Sequence, residues 1–458
     1  MNHYSLLLAL MPLAGAVAVR CLPTRLASSI ARSVVFAGCA ASVPLWFWYR
    51  PTNPELQLVD RVGIPLLGIH YSLGFDGIGL SFVFLAGIVC LVATWLPAPD
   101  RSDRQRSHFG WLLAHYGALL GAFLAADALS FGVACAVALV TLWQLIGRAE
   151  RRPLALRALR DISPAALLLM TAGSIKVGVY GMLRFGLPLV PNLAPLVIHR
   201  APGLALALAV VAAAGAGWQS QWVRMIAYLS MSQAATALAG FLTLTPAGIS
   251  SGVQFSIVHA LLTTAGLTAV YVGGRWHDGD ALLSERRVAL SPVRAVLLFA
   301  GALAAGLPAL RSWSGVPPSV WWNGMAFVGM LVSLGIVTVS GDRALREALV
   351  DTPTAVSTPR VSIAPAMGVV LLLAAAAWTG TSPNTLTRTL RVPSLKLAAQ
   401  VDARYRSEFV AACDTTVTPE LRAASPAAQF LAAAPCGPDG KPLEGSVVVP
   451  LTPAAGAR

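Results

Sequence analysis

Charged residues are scarce in this 458-residue sequence. Only 12% of the residues are Asp, Glu, Lys or Arg, whereas 56% are hydrophobic, and the mean hydropathy is +0.69. A soluble domain of this length cannot bury that much apolar surface, so a large part of the chain must face lipid. The composition therefore excludes an ordinary soluble protein and predicts an all-α polytopic membrane protein.

The sequence also lacks the motifs that mark common catalytic and cofactor sites. It has no phosphate-binding loop, no dinucleotide fingerprint and no nucleophile elbow. Its cysteines and histidines follow no metal-binding spacing. We therefore expect no metal, no cofactor and no catalytic residue in this chain.

Acidic residues are fewer than basic ones, 20 against 33, which gives a formal net charge of +13. The basic residues form short clusters between apolar stretches, a distribution that argues against nucleic-acid binding. The clusters fall in every second loop, and the positive-inside rule predicts that these loops are cytoplasmic. Both termini are then expected on the outer side of a bacterial inner membrane.

Apolar stretches long enough to cross a bilayer recur about a dozen times before the chain becomes polar. The sequence divides into N-terminal transmembrane helices over 1–146, an Arg-rich cytoplasmic amphipathic segment over 147–161, further transmembrane helices over 162–380 and a polar C-terminal tail over 381–458. The tail is expected on the outer side, where it is a candidate for docking a periplasmic or neighbouring subunit.

Two cysteines lie in this tail, Cys413 and Cys436. In an oxidising compartment they could form a disulfide that closes a loop of about two dozen residues. Two free thiols are the alternative, and the sequence does not decide between them.

Ionisable residues inside the predicted spans are candidates for function, because burying a charge in a bilayer is costly. Lys176 lies in the middle of one span, and we expect a buried polar network around it with His259 as a relay partner. His115 is expected to hydrogen-bond a neighbouring helix, and Arg184 to extend its charge to the membrane interface.

Five sequence motifs carry a resemblance to a known family. In chain order they are LLGIHYSLGFDGIGLSF (66–82), LLGAFLAADALSF (119–131), KVGVYGMLRFGLPLVP (176–191), VRMIAYLSMSQ (223–233) and VQFSIVHALL (253–262). Together they resemble the antiporter-like M-type subunit (subunit 4) of respiratory complex I, within the proton-conducting membrane transporters. The resemblance covers roughly residues 6–386 and leaves the tail unmatched.

Several positions that this family uses for proton movement differ here. The resemblance puts the glutamate of the family's fifth helix at Ala136, the lysine of its tenth helix at Val223 and a late glutamate near Val316. The sixth and seventh helices have no counterpart, and the segment 147–161 stands in their place. Lys176 and His259 match a lysine and a histidine that the family keeps, and they remain candidates for a proton pathway.

The resemblance implies an antiporter-like fold of about 12 transmembrane helices with two helices missing, in a shortened and degenerate subunit. We expect a membrane-arm subunit of a complex I-like or hydrogenase-type assembly, structural rather than catalytic, with lost or impaired proton translocation. Its expected partners are other membrane subunits and the lipid bilayer. The alternative is a membrane subunit of an ion-coupled transporter, for inorganic-carbon uptake or multisubunit cation/proton antiport.

Overall fold

The fold is seen in a computed structural model that describes residues 3–51, 56–64, 69–96, 98, 102–146, 163–186, 194–217, 222–273, 368, 370–372, 374–376 and 383–401. These residues form a helical bundle with one β-hairpin. The long helices, numbered α1 to α10, are Tyr4–Cys21, Ala27–Trp48, Gly77–Ala93, Ser102–Leu124, Ala128–Ile146, Pro164–Gly186, Ala194–Gly217, Trp222–Leu242, Pro246–Gly273 and Pro383–Val401. A short 3₁₀ turn, Thr24–Leu26, joins α1 to α2.

Small residues bring the first four helices close together. A side chain at Gly15 of α1 would meet Val34 of α2 at 2.9 Å, and one at Gly117 of α4 would meet Leu13 of α1 at 3.0 Å. Close approach of this kind is what holds helices together in lipid, where there is no hydrophobic force between them. The pattern of buried small residues agrees with a membrane bundle.

Four described helices are long and apolar enough to cross a membrane: Tyr4–Cys21, Thr24–Trp48, Ala128–Ile146 and Pro164–Gly186. Gly77–Ala93 and Ala201–Ala216 are shorter apolar helices. Two further apolar stretches of the sequence, over 295–310 and 320–339, lie outside the described residues, as does the Arg-rich segment 147–161. The predicted number of about twelve helices is therefore confirmed only as a predominantly helical, multi-span architecture.

The β-hairpin corrects the expectation of a purely helical chain. Its strands are β1 (Gln57–Ile64) and β2 (Ile69–Phe75), paired antiparallel with Val62 opposite Tyr71. Within the motif over 66–82, β2 runs from Ile69 to Phe75, and Asp76 then caps α3. The Asp76 side chain accepts a hydrogen bond from the Gly79 amide at 2.8 Å, as a helix N-cap should.

The hairpin ties several helix ends to one end of the bundle. Asp60 of β1 accepts hydrogen bonds from the His3 and Leu6 amides at the start of α1, at 2.8 and 3.0 Å. The Ser72 amide of β2 donates to the Ser130 hydroxyl at the start of α5, at 2.9 Å. The starts of α1, α3 and α5 therefore lie together.

Basic residues collect at the opposite end of the bundle. The Arg20 guanidinium at the end of α1 lies 4.5 Å from the centroid of the Trp111 ring, and the Arg32 guanidinium lies 4.3 Å from that of Trp95. Arg106 near the start of α4 donates a hydrogen bond to Thr24. One end of the bundle thus carries the hairpin and the other carries arginines stacked on tryptophans.

The last described helix, α10, falls within the expected polar tail but packs against the bundle. It contacts α9 and α3, and the Ser250 hydroxyl donates to Ser394 at 2.9 Å. The Tyr49 hydroxyl donates to the Thr389 carbonyl at 3.1 Å. Burial is the main cause that raises the pKa of Tyr49, with the Asp76 carboxylate second, so the phenol stays a donor. The rest of the tail, with Cys413 and Cys436, lies outside the described residues.

Candidate functional site

Helix α6 positions the central lysine between two stretches of π-helix. Ser163 caps its start by accepting a hydrogen bond from the Ala166 amide at 3.2 Å. The backbone is then π-helical over Leu169–Ser174, α-helical over Ile175–Gly181 and π-helical again over Met182–Gly186. Such bulges shift the carbonyl partners of a helix and occur often at functional sites.

Lys176 is buried, with 3% of its surface exposed. Its ammonium Nζ donates to the Thr171 carbonyl, inside the first π stretch, at 3.0 Å. It also lies 2.8 Å from Nδ1 of His259 in α9, which is likewise 3% exposed. The structure thus brings together the two residues that the sequence singled out, one from each helix.

The hydrogen-bonded contacts extend from Lys176 through His259 to a third helix, α8. His259 Nε2 lies 3.3 Å from the Ser230 hydroxyl of α8, and that hydroxyl lies 3.3 Å from Thr263 Oγ1. If Lys176 donates to Nδ1, the neutral ring carries its proton on Nε2 and donates to Ser230. The arrangement is a chain of hydrogen bonds from α6 through α9 to α8, a geometry along which a proton can move.

Lys176 has no carboxylate partner among the residues that the structure describes. The one ion pair in that part of the chain joins Arg184 of α6 to Asp76 at the start of α3. A carboxylate beside a buried ammonium stabilises its charge, and here only a carbonyl oxygen and an imidazole are in contact with it. Among the described residues, the Lys176 amine is therefore bound only by neutral groups.

Arg184 forms an ion pair, which the sequence did not suggest. Its side chain is 15% exposed and pairs with the Asp76 carboxylate, whose side chain is 5% exposed. Next to it on α6, the Tyr180 hydroxyl donates to the Phe123 carbonyl at the end of α4, at 3.2 Å. These contacts fix the end of α6 against α3 and α4.

His115 of α4 is fully buried and bonded on both sides of its ring. Nδ1 lies 2.9 Å from the Thr141 hydroxyl of α5, and Nε2 lies 3.0 Å from the Ser174 hydroxyl of α6. The expected hydrogen bond to a neighbouring helix is thus present twice. This second polar group shares the first π stretch of α6 with the Lys176 group, because Ser174 ends the stretch that contains Thr171.

The three positions at which the resemblance puts charged residues of the family lie in different parts of the chain. Ala136 is on the exposed side of α5, whereas Ala134, Ala138 and Thr141 are buried. Val223 is the second residue of α8. Val316 lies outside the described residues.

Sequence reasoning did not single out the hydroxyl groups that complete both polar clusters. Thr141, Ser174, Ser230 and Thr263 all sit in apolar helical segments, where serine and threonine often bond only their own backbone. The sequence therefore indicates their role only weakly, because that role is recognised only when the neighbouring helices are known. Among the described residues, no group of three His, Cys, Asp or Glu could hold a metal ion.

No protein-family model matches the chain. Curated relatives match parts of it. NAD(P)H-quinone oxidoreductase chain 4 1 of Synechococcus sp. (strain JA-2-3B'a(2-13)) is 34% identical over 134 residues, which are 28% of this chain and 24% of the relative. Chain 4 2 of Thermosynechococcus vestitus is 29% identical over 217 residues, 45% of this chain and 39% of the relative. The chain thus spans less than half the length of either curated relative in these matches.

Solved structures share the fold over most of the chain. A chain of respiratory complex I from Thermus thermophilus matches 87% of this chain and 100% of its own length, with 16% identity and a TM-score of 0.63. A chain of the Mrp complex from Dietzia sp. DQ12-45-1b matches 89% of this chain and 99% of its own length, with 15% identity and a TM-score of 0.64. A chain of the archaeal membrane-bound sulfane sulfur reductase matches at 16% identity, covers 88% and 100% of the two chains, and has a TM-score of 0.64. The predicted resemblance to antiporter-like M-type subunits is confirmed, and the chain is a multi-pass membrane protein with their fold.

Proposed function

We propose that this chain is a membrane-arm subunit of a complex I-like multisubunit assembly, with a structural role and lost or impaired proton translocation. The observation that carries the proposal is the likeness in fold, over nearly its whole length, to chains of three multisubunit membrane complexes. Such a chain has no reaction of its own, and its partners are other membrane subunits.

The distribution of charges inside the described bundle supports the proposed loss or impairment of proton translocation. A proton path through a bilayer needs a continuous series of ionisable groups and water, because an isolated charge there costs several kcal/mol. Helix α5 has no charged residue from Ala128 to Ile146. The hydrogen bonds that start at Lys176 end at the hydroxyls of Ser230 and Thr263. Among the described residues, these hydrogen bonds reach no acidic group that would load or unload the lysine.

The second candidate function is a membrane subunit of an ion-coupled transporter. It is favoured by the likeness to a chain of the Mrp complex, whose TM-score of 0.64 equals or exceeds those of the respiratory complexes. The fold is compatible with both functions, and the identity of the partner proteins distinguishes between them.

Purification of the tagged native protein in mild detergent, followed by mass spectrometry of the proteins that come with it, tests the two functions. Quinone-reductase or hydrogenase subunits, with a second antiporter-like chain that keeps its acidic residues, are the expected result. Recovery of a single large soluble partner without redox subunits would favour the transporter and contradict the main proposal.

A third possibility is that Lys176 and His259 still carry protons by a shortened route. Their 2.8 Å contact is the observation that favours it. Proton uptake by vesicles that contain the assembly should then fall in Lys176→Ala and in His259→Phe. Uptake equal to that of the unaltered assembly in both variants would remove this route.

We place the arginine-bearing end of the bundle in the cytoplasm and the hairpin, with both termini, on the outer side. Cys21 is exposed at the arginine end, and Val59 of the hairpin is 41% exposed. With the other cysteines replaced, a membrane-impermeant thiol reagent should label Cys21 only in inverted vesicles, and Val59→Cys only in right-side-out ones. The reverse pattern would invert the topology.

The tail beyond Val401 is proposed to dock a partner on the outer side. Truncation after Val401 should then lose one specific protein from the purified assembly. Thiol alkylation with and without reductant tests the Cys413–Cys436 disulfide, and equal labelling of both cysteines under the two conditions would exclude it.

A further inference from the structure

A cluster of arginines lies at the end of the bundle opposite the hairpin. Its members, which we call the arginine cluster, are Arg20 at the end of α1, Arg25 in the 3₁₀ turn and Arg106 near the start of α4. Arg20 and Arg25 are exposed, and Arg106 is partly buried. No part of the proposed function uses these side chains.

Contacts with α4 bring the cluster together. A side chain at Gly110 would lie 3.3 Å from Arg20 Nε, so the Arg20 side chain runs along α4 at that position. Arg106 lies four residues before Gly110 and therefore on the same face of α4, one turn away. Arg106 Nη2 donates to the Thr24 hydroxyl at 2.5 Å, and Arg25 is the next residue of the turn. Arginines from three elements thus meet at the junction of α1, the turn and α4.

Acidic groups that could neutralise these arginines are scarce. The sequence has no Asp or Glu before Glu55, so α1, the turn and α2 carry none. At the start of α4, Arg104 and Arg106 outnumber the single Asp103. Among the described residues, no carboxylate forms an ion pair with the cluster. Because neighbouring like charges repel each other, an anion bound between them would be stabilised.

Two of the guanidinium groups are held in place with N–H groups still available. The Arg20 guanidinium lies 4.5 Å from the centroid of the Trp111 ring, and stacking leaves the N–H groups at its edge accessible to an acceptor. Arg106 has five N–H donors, and Thr24 is its one hydrogen-bond acceptor within the described part of the chain. A planar fork of such donors matches the oxygens of a phosphate group.

The surroundings of the cluster favour a lipid over a soluble anion. Arg20 lies at the end of the apolar span Tyr4–Cys21, and Val17, one turn earlier on α1, is 63% exposed. Leu22 and Leu26, which flank the turn, are each 43% exposed. An anionic phospholipid offers a phosphate to the arginines and acyl chains to the apolar surface beside them. Basic groups at the ends of membrane helices recognise such headgroups.

We propose that the arginine cluster binds the phosphate group of one anionic phospholipid at the membrane surface. Arg20 and Arg106 donate hydrogen bonds to the phosphate oxygens, and Arg25 adds a third positive charge. The acyl chains then extend along the exposed side of α1 past Val17. The inference goes beyond the proposed function, because it requires neither a particular partner protein nor proton movement.

Native mass spectrometry of the full chain in a neutral detergent, titrated with phosphatidylglycerol, tests the site. Phosphatidylcholine with the same acyl chains is the matched lipid, and inorganic phosphate represents a free anion. We expect one phosphatidylglycerol to bind with higher affinity than phosphatidylcholine and to stay bound in millimolar inorganic phosphate. Arg20→Gln and Arg106→Gln should each weaken its binding by about fivefold, the contribution of one basic side chain near an anionic lipid.

Arg61→Gln is the matched control, because it removes an exposed arginine from β1, at the opposite end of the bundle. It should leave the affinity for phosphatidylglycerol unchanged, and Arg106→Lys, which keeps the charge, should weaken binding less than Arg106→Gln. Equal affinities in Arg20→Gln, Arg106→Gln and Arg61→Gln would overturn the proposal. Displacement of the lipid by inorganic phosphate, or equal binding of phosphatidylcholine, would also overturn it.

A second measurement leaves the cluster unaltered, so it does not depend on the folding of the arginine variants. Cys21 is exposed and adjoins Arg20 in the chain. With the other cysteines replaced, a fluorophore on Cys21 should be quenched more strongly by spin-labelled phosphatidylglycerol than by the same fraction of spin-labelled phosphatidylcholine in mixed vesicles. Equal quenching by the two lipids would contradict the site, whereas the identity of co-purifying proteins bears only on the proposed function.

Discussion

The ion pair between Asp76 and Arg184 allows a quantitative test of how α6 is held against α3. Asp76 has two roles, because one carboxylate oxygen caps α3 through the Gly79 amide at 2.8 Å and the other pairs with Arg184. Asp76→Asn separates these roles. Asparagine is as good an N-cap as aspartate, so the change removes the charge and keeps the cap.

The expected cost follows from the burial of the pair. Removing one partner of a buried ion pair costs about 3–5 kcal/mol, because the other charge stays in a poorly solvated site. Arg184 is 15% exposed and keeps its remaining contacts, so we expect the lower end, about 3 kcal/mol for Asp76→Asn. Asp76→Ala should lose about 1 kcal/mol more, since it also removes the cap.

Unfolding of the purified chain in mixed detergent micelles would measure these changes, in a double-mutant cycle with Arg184→Met. The double variant should lose much less stability than the sum of the single ones. Asp127→Asn is the matched control, because Asp127 also caps a helix, through the Ser130 amide at 2.8 Å, and has no cationic partner among the described residues. Single losses that add to within about 0.5 kcal/mol would refute the ion pair as described.

Two further predictions concern packing and charge placement. A side chain at Gly77 would clash with the Thr389 carbonyl oxygen, so Gly77→Ala should cost about 1–3 kcal/mol or release α10. Gly132→Ala should not destabilise the protein, because nothing lies within 4 Å of a side chain added there. Limited proteolysis and thermal unfolding measure this, and equal behaviour of the two variants would show that α10 does not pack there. Ala136→Glu restores the family's carboxylate on the exposed side of α5, where it should cost about 2.5–3.5 kcal/mol and give no proton uptake in vesicles. Regained uptake would contradict the placement of Ala136.

The sequence predicted the features that follow from the cost of burying charge. Lys176 in an apolar span needs a partner, and His259 was the polar residue available in a neighbouring span, so their contact could be anticipated. The membrane bundle itself follows from the long apolar stretches.

Features that depend on tertiary neighbours were not predictable in the same way. The partner of Arg184 lies 108 residues earlier in the chain, and a basic residue near a span end is usually explained by the interface. The hairpin strands have eight and seven residues, and Asp60 interrupts the apolar character of β1 because it caps α1. Neither π stretch has a sequence signature, since a shift in backbone bonding depends on the contacts around the helix.

The two faces of α5 relate the alanine at position 136, where the resemblance puts a glutamate, to the arrangement of the neighbouring helices. Its buried face carries Ser130, Ala134, Ala138 and Thr141, while Ala136 lies on the side with the exposed Val133, Val140 and Trp143. A carboxylate at position 136 would have needed a neighbouring helix to cover it, and the resemblance puts the segment 147–161 where two such helices are expected. The end of α5 and the start of α6 lie at the same end of the bundle, because α5 starts and α6 ends beside the hairpin. Leaving out an even number of spans between them preserves that orientation. We propose that the two differences implied by the resemblance are one change, because an apolar residue is the stable choice at an exposed position of a membrane helix that no further helix covers.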